Sequence, residues 1–146
     1  MGIRPNSTDV TLKMGLASIL VPLLLSFIPM AAVANSDDDV RALSDSNALS
    51  QTKAKTRLVQ SGNLMLPALL RGLDNHDPSV RSECLDILKN KKISDSNDIR
   101  TIGRKGRSDP DEMVRLDSIA TLRAIRNMTA INELRTFAET DPMVDT

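Results

Sequence analysis

Asp77-Pro78-Ser79-Val80-Arg81 and Asp109-Pro110-Asp111-Glu112-Met113-Val114-Arg115 are the stretches whose reading decides the fold. At a helix start the Asp carboxylate accepts from backbone N–H groups that have no partner in the first turn. Proline then sits at the first helical position, where its missing N–H is not needed. Each pair therefore predicts a helix. After the first, Val80, Cys84, Leu85 and Leu88 share one helical face. After the second, Val114, Ser118, Ile119 and Leu122 take the same offsets from Val, two residues having been added between Pro and Val. A third pair, Asp141-Pro142, follows at the same spacing of 32 residues.

Each pair is preceded by another apolar-striped segment, at Leu66 to Leu73, Ile99 to Lys105 and Ile131 to Phe137. Within these, Leu70, Ile102 and Leu134 are again 32 apart. Two antiparallel helices per unit, neither able to bury its apolar stripe alone, describe a helical solenoid of all-α class. A non-repeating helical bundle is the competing reading. An aromatic fraction of only 1% agrees with a helical core of Leu, Ile, Val, Ala and Met.

The two quoted segments resemble the turn and second-helix start of HEAT repeats, in which an acidic-Pro turn is followed by Val-Arg. The resemblance covers residues 63–146 and implies a short right-handed α-α superhelix, armadillo-like, of about two and a half helical hairpins. It implies that Val80 and Val114 pack between helices and that Arg81 and Arg115 join polar contacts between repeats. Asp77, Pro78, Asp109 and Pro110 would form the turns. The third copy departs from the pattern, because Pro142-Met143-Val144 is followed only by Asp145 and Thr146, so its second helix is expected to be missing or one turn long.

Residues 1–34 read as a signal peptide. Arg4 and Lys13 precede a nearly wholly apolar run from Met14 to Ile28, Pro29 ends it, and Ala32-Val33-Ala34 supplies small side chains for a peptidase cleft. Cleavage after Ala34 would export the chain as a periplasmic or secreted module. The alternative is an uncleaved span from Met14 to Ala34, which would make it a membrane-anchored adaptor. Residues 35–62 are Ser-, Asp- and Asn-rich and read as a polar linker with a weak helix, which Asp37, Asp38 and Asp39 would cap near Val40. As a calcium loop that triplet is poor. Ser94 to Asn97, repeating Ser44 to Asn47, predicts a helix start near Ile99.

Lys plus Arg equals Asp plus Glu at 19 each, so no global field draws the chain to nucleic acid. One His and one Cys assemble no zinc site of conventional type. His76 is expected in a solvated turn and Cys84 in the core, while Gly103 and Gly106 sit in the wrong context for a phosphate loop. No catalytic, cofactor-binding or metal-ligating residue is expected, and no cofactor. The polar feature above background is a basic stretch in which Arg100, Arg104, Lys105 and Arg107 form a candidate partner-binding ridge. A second candidate is the open end of the last helix, through Ile131, Leu134 and Phe137. The expected role is a non-catalytic scaffold holding another protein, or a second copy of itself through that open end. HEAT-like proteins also include lyases that attach bilins to phycobiliproteins, so the resemblance leaves an enzyme-associated role as an alternative.

Overall fold

The computed structural model describes residues 36–140, which lie within one compact unit. The expected signal peptide, its cleavage site and the third Asp-Pro pair fall outside the described residues. The fold is all-α. Helix α1 (Ser36–Arg41) runs into a 3-10 turn (Ala42–Ser44), then come α2 (Ala48–Gln60), a second 3-10 turn (Gly62–Met65), α3 (Leu66–Gly72) and α4 (Pro78–Lys89). Helices α5 (Ser96–Arg107), α6 (Glu112–Ile125) and α7 (Met128–Thr140) complete the described chain, which contains no strand.

Short polar side chains start most of the helices, α3 being an exception, where Met65 precedes the first turn and Pro67 lies in it. Asn47 caps α2, Asp77 caps α4 with Pro78 in the first turn, and Asp95 caps α5 by accepting from the N–H groups of Asn97 and Asp98. Asn127 accepts from Ala130 N–H at the start of α7, 32 residues beyond Asp95. One start differs from the sequence expectation. Helix α6 is capped by Asp111 rather than Asp109, and Pro110 lies outside it, because the two added residues form an extra step of turn before the helix. Asp109 is thereby released to meet Arg81.

The helices pack as neighbouring hairpins. Helices α1, α3, α5 and α7 contact one another in succession, α4 lies along α6, and α3–α4 and α5–α6 pair within each hairpin. Val80, Cys84, Leu85, Ile87 and Leu88 of α4 are buried with Ile99 and Ile102 of α5 and Val114 and Leu122 of α6. Three glycines allow backbones to approach. A Cβ at Gly72 would strike Cys84 and Val40, one at Gly103 would strike Glu133, and one at Gly106 would collide with Ser118.

The polar stretch before residue 62 is more than a linker. Val40, Leu43 and Leu58 are buried in the same core cluster, and Ala54 is fully buried as well. The three aspartates lie inside the first turn of α1 rather than ahead of it, and each takes a cation: Asp37 that of Arg71, Asp38 that of Arg41, Asp39 that of Arg57. The stretch reads as sparse because an end helix buries one side only, and α2 needs just Ala54 and Leu58, four residues apart, to do so.

Candidate functional site

The basic ridge is taken apart by long-range pairing. Lys105 Nζ lies 2.5 Å from Asp74 Oδ2 and donates to Leu70 O, so this cation ties α5 to the turn after α3. Arg107 donates to Glu133 Oε2 at 2.6 Å and its guanidinium stands 5.6 Å from the centre of the Phe137 ring. Lys91, in the same stretch, donates to the carbonyls of Leu58 and Val59, and burial pulls its ammonium below the ordinary lysine value. Arg100 and Arg104 stay exposed, and Arg100 donates to Asn97 of its own helix at 3.3 Å. The sequence had no means of showing that acids 26 and 31 residues away would absorb Arg107 and Lys105.

The open-end candidates also separate. Phe137 is only 2% exposed and fills the space between α5 and α7, so it is a core residue and not part of a docking face. Leu134 is half-buried against the core, whereas Ile131 is 46% exposed. One stripe of α7 turns towards α5 and the other away, which the apolar pattern alone does not distinguish.

Arg81 spans two hairpins. Its Nε and Nη2 donate to Asp109 at 2.7 and 2.8 Å, and Nη1 donates to the carbonyls of Asn75 and His76. The hydrogen bonds to Asp109, more than burial opposes, hold its proton above the ordinary arginine value. Arg115 repeats the inner half of this arrangement, donating to the carbonyls of Asp109 and Pro110, each 34 residues after its counterpart. Val80 and Val114 are both buried in the core between helices.

His76 is exposed in its turn, and Cys84 is fully buried with its thiol pushed up to about 12, by burial first and the Glu83 charge second. The two do not form a pair. Among the described residues no group of three His, Cys, Asp or Glu side chains is placed to hold a metal, and no helix is long and apolar enough to cross a membrane.

Two open clefts along the second helices of the hairpins escaped the sequence reading. Leu43, Gln51, Lys55, Thr56, Val59 and Glu83 are among the side chains around a cleft of about 410 Å³ between α2 and α4. Ser79, Ser82, Asp86, Asp111, Met113 and Asp117 are among those around a cleft of about 620 Å³ between α4 and α6, and Glu83 borders both. Lys55 meets Glu83 at 2.5 Å, and that hydrogen bond raises the lysine above its ordinary value. Ser82 donates to Asp117 across the second cleft. Met113 stands 62% exposed at its rim. The available signal was the run of outward residues 79, 82, 83 and 86, whose three- and four-residue spacing places them on one face of α4.

No family model matches the chain, and neither a curated protein nor a solved structure matches it.

Proposed function

We propose that this chain is a small HEAT-like scaffold, exported after removal of residues 1–34, that holds a segment of another protein along the second helices of its hairpins. The observation that carries the reading is the pair of clefts meeting at Glu83, which together run from α2 across α4 to α6. Stacked hairpins present one helix of each unit to a ligand, so contacts accumulate over several repeats. Around the α4–α6 cleft the charged side chains are Glu83, Asp86, Asp111 and Asp117, with Met113 as an exposed apolar contact. An extended or helical segment carrying Lys or Arg beside an apolar side chain matches that lining. The first-helix row, where only Arg100 and Arg104 of the α5 ridge remain uncommitted, is the less favoured surface.

Photo-crosslinking groups placed at Asp86 and at Met113, compared with one at Arg104, test the reading in the native cell. A protein captured from the first two positions and lost when Asp86 and Asp117 are both changed to Lys supports it. Capture from Arg104 alone refutes it.

A further inference from the structure

We propose that Lys55 sets the register of a partner in the paired clefts: it fills the acidic junction at Glu83 from within, which confines the partner's cations to the α4–α6 half and leaves an uncharged stretch over α2. This role rests on the partner-binding reading above, and it makes the partner a segment that is cationic at one end only.

The two clefts share a border but differ in chemistry. Around the α4–α6 cleft Glu83, Asp86, Asp111 and Asp117 are acidic, and no cation stands among its described lining residues. Asp117 accepts from the Ser82 hydroxyl and Asp111 from the Val114 N–H, neutral donors that leave the carboxylate charge in place. Around the α2–α4 cleft the lining beyond Lys55 and Glu83 is uncharged. Gln51, Thr52, Thr56 and Gln60 are polar, and Val59 is half-exposed. A ligand crossing α4 therefore passes from an anionic lining to a neutral one. The crossing spans two helix spacings, roughly 20 Å, or about six residues of extended chain.

Lys55 stands at that boundary. From the middle of α2 it reaches across to α4, where its ammonium lies 2.5 Å from Glu83 Oε1 and 3.9 Å from Asp86 Oδ2. Glu83 borders both clefts, so the lysine takes the place that a partner's own Lys or Arg would fill at their junction. The same ammonium repels a cation laid over α2, and like charges brought together in a cleft discriminate by rejecting the wrong ligand. The Lys55 and Glu83 side chains are 45% and 29% exposed, so their pairing adds little to folding stability and its removal leaves the helices in place.

Fluorescence anisotropy of the full chain with three labelled peptides of about eight residues tests this. Each has a central leucine. One carries lysines in its N-terminal half and serines in the other, one has these halves exchanged, and the third has lysines in both. The better of the two half-cationic peptides should bind at least about fivefold more tightly than the all-lysine peptide, against the order that peptide charge alone would give. Lys55→Gln should make the all-lysine peptide the tighter ligand, while Lys55→Arg keeps the original order. A preference for the all-lysine peptide in the unaltered chain, or an order that Lys55→Gln does not change, overturns the role of Lys55 and leaves the clefts as the binding surface. Binding of none of the three peptides overturns the cleft reading and this role together.

Discussion

Asp109→Ala removes the acceptor that holds Arg81, and the structure sets the size of the loss. The pair is nearly sealed from water, with the side chains 9% and 7% exposed, and it makes two parallel N–H···O bonds at 2.7 and 2.8 Å. Breaking a buried pair from one side leaves a guanidinium without its counter-charge, a loss of about 3–5 kcal/mol. Arg81 keeps its bonds to the carbonyls of Asn75 and His76, so the lower part of that range, about 3 kcal/mol, is expected. A domain of this size holds about 5–15 kcal/mol in total, so the change is a large share of it. Urea unfolding followed by circular dichroism measures it. Asp111→Ala, which removes the α6 cap and a charge near Arg81 but none of its hydrogen bonds, is the comparison and should lose about 1 kcal/mol. Replacing Arg81 with Leu and Asp109 with Ala together should lose less than the two single losses added, with a coupling of about 2 kcal/mol or more. A loss from Asp109→Ala no greater than that from Asp111→Ala would refute the view that this pair fastens one hairpin to the next.

Gly106→Ala places a methyl group against the Cβ and Oγ of Ser118 and should lower stability by about 2–3 kcal/mol despite the better helix propensity of Ala. Gly103→Ala meets the end of the Glu133 side chain, which can withdraw, so thermal melting should rank it as the milder of the two. Leu58→Ala, at a fully buried site in the stretch that reads as a linker, should lose about 2–5 kcal/mol, and a loss below 1 kcal/mol would return that stretch to linker status. Cys84 sets a pH response. An unfolded chain releases its thiol proton near the ordinary value of 9.0, whereas the folded chain keeps it to about 12. Stability from this group is therefore unchanged below pH 9 and falls by about 1.4 kcal/mol per pH unit above it, a slope that Cys84→Ala should lack in denaturant titrations.

The all-α class and the α4 and α6 faces were legible because long buried helices repeat their apolar positions at three and four residues, as Val80, Cys84, Leu85 and Leu88 do. The stretch from residue 36 to 62 defeated the same reasoning for a physical reason, since α2 contributes two buried side chains and spends the rest of its length in water. Shifting the α6 cap from Asp109 to Asp111 was hidden because both positions carry the same residue type, and only the mate of Arg81 tells them apart. Two cations of the basic ridge, Lys105 and Arg107, are committed within the fold because charge runs are local in sequence while Asp74 and Glu133 reach them from elsewhere. The clefts needed the side-by-side placement of α2, α4 and α6, which no single helix announces.

Helix α4 buries six of its side chains, Arg81 among them, with α6 along one side and α1 and its 3-10 turn on the other. Interactions in such a stack reach only to the adjoining unit, so opening can begin at either extremity and move inward. Amide protons of α4 should consequently be the last to exchange with deuterium, with progressively faster exchange towards α1 in one direction and α7 in the other. Occupancy of the clefts that α4 borders would then slow exchange in its two neighbours as well, giving a ligand a grip on the whole stack from its middle.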